Sequence, residues 1–121
     1  MAFASAVVLT PVAFTPGAAT SIAAALTAAD GTHGNRFILN PNTLLRVKNG
    51  SGSEITVTVN VNRTIADLTL PDDTFTVPLT SGDVIWKPNQ PIDLYWVDQA
   101  TREAHIEFSS ATTVTVKVYE A

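Results

Sequence analysis

LLRVKNGSGSEITVTVNV, residues 44–61, is the stretch whose reading decides the fold class. Before its Gly/Ser break, Leu45 and Val47 alternate with Arg46 and Lys48. After the break, Ile55, Val57, Val59 and Val61 alternate with Thr56, Thr58 and Asn60. Side chains on a strand alternate with period two, so each run has one dry face and one wet face. Asn49-Gly50 opens the break, and both residues tolerate positive φ at low cost. The spacing therefore predicts two strands joined as a β-hairpin, with residues 50–54 as a longer loop rather than a two-residue turn.

The same pattern extends outward in both directions. Arg36 to Leu39 reads as a short strand ended by Asn40-Pro41-Asn42. Residues 65–70 form a weaker segment closed by Pro71-Asp72-Asp73, a turn with proline at its second position. Phe75, Val77 and Leu79 share a face, and Pro78 marks an edge or a strand end. Ser81-Gly82-Asp83 turns into Val84 to Trp86. Ile92, Leu94 and Trp96 alternate in residues 92–97 and predict another strand. Ile106 and Phe108 point inward in residues 104–108, with His105 and Glu107 opposite. Val114, Val116 and Val118 form the last inward face, with Thr115, Lys117 and Tyr119 outside.

Such spacing predicts an all-β protein: an antiparallel β-sandwich or jelly-roll-like barrel of about eight to ten short strands. A chain of 121 residues is one domain long. At that size roughly 65% of the unfolded surface is buried, enough for a core without metals or disulfides. Residues 1–20 read as an extended N-terminal arm and residues 21–121 as a single sandwich domain. In the arm, Phe3, Val7, Val8, Leu9, Val12 and Phe14 need burial, while Pro11 and Pro16 prevent a long strand or helix. Two readings stand: residues 6–10 are the first strand of the domain's own sheet, or part of the arm lies on a neighbouring molecule. Residues 21–29 read as a short Ala-rich helix, capped by Ser21 and stopped by Gly31, or as a loop.

Composition excludes several classes of function. The absence of cysteine removes a disulfide framework and thiol chemistry. The net charge is -4, and the seven Lys and Arg residues are scattered along the chain, which argues against a nucleic-acid partner. The Ala-rich run at residues 18–29 is well short of the roughly 20 residues a membrane span needs, so no membrane partner is expected. Residues 1–14 lack a positively charged leader and are broken by Pro11, which reads against a signal peptide and for a protein kept in the cytoplasm.

No catalytic pattern emerges, and the expectation is a non-enzyme with no catalytic residues, no metal and no cofactor. His33 and His105 lack metal-ligand spacing and read as a turn histidine and a solvated strand histidine. Asp72-Asp73 and Glu103/Glu107 are the nearest approach to paired carboxylates, yet a glycosidase needs two acids across a cleft with one desolvated. No GxSxG, GxGxxG or P-loop pattern occurs. Trp86, Tyr95 and Trp96 suit core positions or subunit contacts, or alternatively a platform on which a sugar stacks.

Four pieces of sequence carry a family likeness: LRVKNG (45–50), ITVTV (55–59), FTVP (75–78) followed by Gly82, and ATTVTV (111–116). In their order and spacing the chain resembles the small head decoration, or cement, proteins of tailed bacteriophages. The likeness spans residues 36–119, and residues 86–108 look elaborated relative to the shorter members. The resemblance implies a non-enzymatic virion protein on the capsid exterior, made in the host bacterial cytoplasm. Its partners would be the major capsid protein and further copies of itself, most simply as a trimer. The residues proposed for those contacts are Phe3, Val7, Val8, Leu9, Val12, Phe14, Trp86, Tyr95 and Trp96. Alternatives are a tail or head–tail connector component, or a carbohydrate-binding module.

Overall fold

The computed structural model of the chain describes residues 6–13, 17, 26–61, 64, 65, 67–69, 71–80, 82–88 and 91–120. Their strands are β1 (Val7–Val8), β2 (Val12–Ala13), β3 (Thr27–Ala28), β4 (Asn35–Ile38), β5 (Thr43–Asn49) and β6 (Ile55–Val59). They continue with β7 (Thr64–Ile65), β8 (Leu68–Thr69), β9 (Asp73–Val77), β10 (Gly82–Trp86), β11 (Glu103–Phe108) and β12 (Val114–Glu120). The first sheet runs β1-β4-β11-β6-β9. The second runs β10-β5-β12-β2, with β3 also on β12. The two sheets pack face to face as a sandwich. The fold class is the expected one. The strands outnumber the expectation because five of them are only two residues long. The sheets are also mixed rather than purely antiparallel: β1 runs parallel to β4, and β2 parallel to β12.

Alternation builds the core as the sequence predicts. Phe37, Ile55, Val57, Val59 and Ile106 from the first sheet meet Leu45, Val47, Val114, Val116 and Val118 from the second. All are essentially inaccessible to solvent. Burying each such side chain contributes on the order of 1.5–3 kcal/mol, which must offset the entropy of ordering thin strands.

The central hairpin is not formed. β5 pairs with β10 and β12, whereas β6 pairs with β11 and β9, so residues 50–54 cross from one sheet to the other. Both runs carry one apolar face, and setting those faces against each other across the core buries both. Asn49 fixes the crossing. Its Nδ2 donates to the carbonyls of Ser53 (2.8 Å), Pro78 (3.1 Å) and Val77 (3.2 Å). Its Oδ1 accepts from the Ser51 N–H (3.0 Å) and hydroxyl (2.7 Å). Next to it, the Gly50 N–H reaches the Thr113 carbonyl at 3.0 Å. One buried amide thus ties the β5–β6 crossing to the β9–β10 corner, and its neighbour ties it to the β11–β12 corner. At the β9–β10 corner a Cβ on Gly82 would stand 2.0 Å from the Pro78 carbonyl oxygen, so only glycine fits there.

Three other expectations change. The alternating segment at residues 92–97 is a 3-10 turn over Ile92–Leu94, not a strand. Pro91 begins it and accepts from Leu94 N at 3.1 Å, and Ile92 accepts from Tyr95 N at 3.1 Å. Proline sets that first turn, and its own missing N–H costs nothing there. Thr27–Ala28 is strand, antiparallel to β12, which overturns the helical reading for that part of residues 21–29; residues 21–25 lie outside the described residues. β7 and β8 pair antiparallel as a separate two-stranded sheet, with Leu68 strongly exposed.

The arm is a pair of strands of the domain itself over its described part. β1 adds to the first sheet and β2 to the second, with Thr10-Pro11 between them. Proline lacks a ladder donor, so it suits the passage between two edges.

Candidate functional site

The outer face of the first sheet gathers the polar groups of β11. Glu103, His105 and Glu107 point outward on this strand, with Arg36 opposite His105. The sequence reading of His105 as solvated fails: it is only 3% exposed. Its Nε2 lies 2.7 Å from the His33 carbonyl, and a carbonyl can only accept. The proton therefore sits on Nε2, which leaves Nδ1 to accept from Asn60 Nδ2 at 2.8 Å. The same amide nitrogen donates to Glu107 Oε1 at 2.9 Å. Glu103, also buried, accepts from the Thr101 hydroxyl at 2.9 Å, and its other oxygen stands 3.8 Å from Arg36 Nε.

The turn over residues 30–34 places the His33 carbonyl. Asp30 Oδ1 accepts from the backbone N–H groups of Thr32 (2.8 Å) and His33 (3.1 Å), which holds its carboxyl below the usual carboxylate range. Gly34 follows at φ 75°. A Cβ there would lie 2.2 Å from the Ile106 carbonyl oxygen and 2.9 Å from His105 Nε2. Only glycine lets the turn come down onto β11. Beside this row, Thr56, Thr58, Glu107, Phe108 and Ser109 line a shallow open depression. Among the described residues, no three His, Asp or Glu side chains converge to hold a metal ion.

The second sheet presents a different outer face. Arg46 Nε and Nη2 donate to the two Asp83 oxygens at 2.9 and 2.6 Å, a bidentate pair across β5 and β10. Arg46 Nη1 also reaches the Tyr119 hydroxyl at 3.5 Å. The hydrogen bond from Arg46 lowers the Asp83 carboxyl below its ordinary range, and the charges of Arg46 and Lys48 add to this. Asp83, then Tyr119, raise the guanidinium above its own range. Tyr119 points outward as predicted but is buried, lying opposite Leu44 and against Arg46. Lys48 and Ile85 are exposed on this face, and Lys117 is half-exposed.

The residues proposed for contacts separate under this geometry. Val7 and Val8 are exposed at the β1 edge, and Val12 is half-buried in β2. Leu9 is 3% exposed and joins the core, so it has no surface left to offer a partner. Tyr95 is likewise fully buried: it meets Trp86 edge-on at 5.5 Å, and its hydroxyl donates to Asp73 Oδ2 at 2.5 Å. Trp96 donates its indole N–H to the Leu39 carbonyl at 3.0 Å, and Arg102 lies over its ring at 5.6 Å. The three rings are joined to the core and do not make an open stacking platform. Phe3 and Phe14 lie outside the described residues.

Sequence reasoning missed Asn49, the His105 network and the Arg46–Asp83 pair. Buried polar side chains have no period of their own, and cross-strand partners are legible only once strand order is known. The one available signal was Asn49-Gly50 after an apolar run, which reads first as a turn. No helix among the described residues is long and apolar enough to cross a membrane. Comparison with family models, with curated proteins and with solved structures finds no match to this chain.

Proposed function

We propose that the protein is a structural component of a tailed-bacteriophage virion, without catalytic activity, that binds the outside of the matured capsid and bridges neighbouring major capsid proteins. The observation that carries this reading is the order and spacing of the four sequence pieces at 45–50, 55–59, 75–82 and 111–116. They fall on β5, β6, the β9–β10 corner and β12, elements from both sheets and the connections pinned by Asn49. The likeness thus covers the framework. Residues 86–108, which depart from it, contain the 3-10 turn and the buried Tyr95.

The physical role follows from mass action. A subunit that binds only the expanded lattice stabilises it by the free energy of that binding. Many symmetric copies, most simply grouped as trimers, add avidity to modest individual contacts. Among the described residues β1 pairs with β4 alone, so exposed Val7 and Val8 offer an edge to which another strand can add.

The test is to purify virions of the phage that encodes the chain and image them. The expected result is many copies in a regular array over the shell, with heads that lack the protein losing resistance to heat or chelator. Absence from purified virions would sink the proposal. A single ring at a vertex, or copies along the tail, would assign the protein to the connector or tail instead.

A further inference from the structure

The outer face of the second sheet collects charge that the sequence scatters. Arg46 and Lys48 on β5 and Lys117 on β12 share it, with Asp83 on β10 the one carboxylate among the strand residues pointing there. Three cations to one carboxylate leave this face at +2, in a chain whose net charge is -4. The register sets Lys117 directly opposite Arg46, with Lys48 one outward position along from Arg46 and opposite Asp83. Like charges directly opposite on adjacent strands destabilise a sheet. Asp83 is already bonded bidentately to Arg46, so it cannot answer Lys117 as well. Stability alone would place an acid or a threonine at position 117. The cations stand on β5 and β12, the two longest strands, and Ile85 projects beside them, 60% exposed.

We infer that this face, centred on Lys48, Lys117 and Ile85, is a docking surface for an acidic protein surface. Charge complementarity selects the occupant: lysines on flexible stems meet carboxylates, and Ile85 supplies the apolar contact that ion pairs alone lack. Arg46, held by Asp83 and Tyr119, keeps the platform rigid. Resting on the capsid reading above, the inference identifies the acidic surface with the exterior of the expanded shell, so that the sheet face meets the shell in addition to any strand at the β1 edge.

The test uses the full chain, a Lys48→Gln/Lys117→Glu variant, and two probes: purified expanded heads and a polyglutamate-coated resin. The wild type is expected to bind both and to be released as salt rises, because exposed charge pairs are screened. The double variant should bind heads at least about tenfold more weakly. It should melt no lower than the wild type, since a glutamate at 117 faces Arg46 and removes the like-charge pair, while a neutral glutamine at 48 sets no like charge against Asp83. Loss of binding with unchanged or raised Tm separates docking from folding. If heads bind both proteins equally, the inference falls and the capsid reading stands. If heads bind neither but polyglutamate retains the wild type alone, the docking face stands and the capsid reading falls. If neither probe distinguishes the two proteins, the inference is overturned. If double-stranded DNA strips the wild type from polyglutamate at equal charge concentration, the partner is a nucleic acid and the protein assignment is wrong.

Discussion

The two sheets have the same kind of inner face and opposite kinds of outer face. On the first sheet, polar groups close on one another: His105 with His33 and Asn60, Asn60 with Glu107, Glu103 with Thr101. On the second, Arg46 and Asp83 close on each other; Lys48 stands opposite an Asp83 whose two oxygens already bond Arg46, and Lys117 stands opposite Arg46 itself. A buried polar group must find its partner inside the subunit or cost stability. An exposed cation meets no such demand, so its position is free to serve another molecule. The difference predicts that changes on the first sheet's network damage folding, whereas changes to the second sheet's lysines damage binding.

The largest expected effect is on the first-sheet side. Gly34→Ala needs positive φ and puts a Cβ into the Ile106 carbonyl, so it should cost about 3–4 kcal/mol in urea denaturation. A loss below about 1 kcal/mol would show that the turn over residues 30–34 adapts freely and that the His105 network is not held from above. Asn49→Ala strips partners from the β5–β6 crossing and the β9–β10 corner at once and should cost about 2–3 kcal/mol. The change should also raise amide exchange at Gly50 and Ser51, whereas exchange confined to the mutated residue would contradict its role as the tie between the sheets.

His105→Leu keeps the volume but strands the His33 carbonyl and takes one of two acceptors from the Asn60 amide, for an expected loss of about 1–2 kcal/mol. Nitrogen NMR of the wild-type imidazole should show the proton on Nε2. A proton on Nδ1 would break the assignment of the network.

The smallest effect belongs to the second sheet. Asp83→Asn should cost about 0.5 kcal/mol, because the pair is partly exposed and solvent screens it. Its pH dependence has a definite sign. The folded carboxyl lies below its ordinary 3.8, so its stabilisation is full above the unfolded value and is lost as pH falls through the lower folded value. Wild type and variant should therefore differ by a constant amount at neutral pH and converge in acid below about pH 4. Divergence in acid would mean that the Arg46 pair is not what holds Asp83.

The apolar period of β5, β6, β11 and β12 was legible in the sequence because alternation is a local property of the chain. The same locality explains the errors. Residues 44–61 carry the pattern of two strands with a break, and that pattern is identical whether the strands pair edge to edge or face each other across a core. Residues 92–97 alternate like a strand, yet Pro91 and the space beneath Trp86 favour a 3-10 turn that sinks Tyr95. The histidine at 105 read as solvated because its strand alternates; what buries it is the turn at residues 30–34, about seventy positions earlier.

By itself, then, the sequence determined the all-β class, the inward faces of the long strands, and the absence of thiol chemistry, since each depends on residue type and near neighbours. Only the tertiary structure decided that the central break spans two sheets, that Leu9 and Tyr95 are core, and that three scattered cations share one face. Those depend on strand order, and strand order is set by which apolar faces bury each other and by a few buried side chains such as Asn49, whose partners lie far away in the chain.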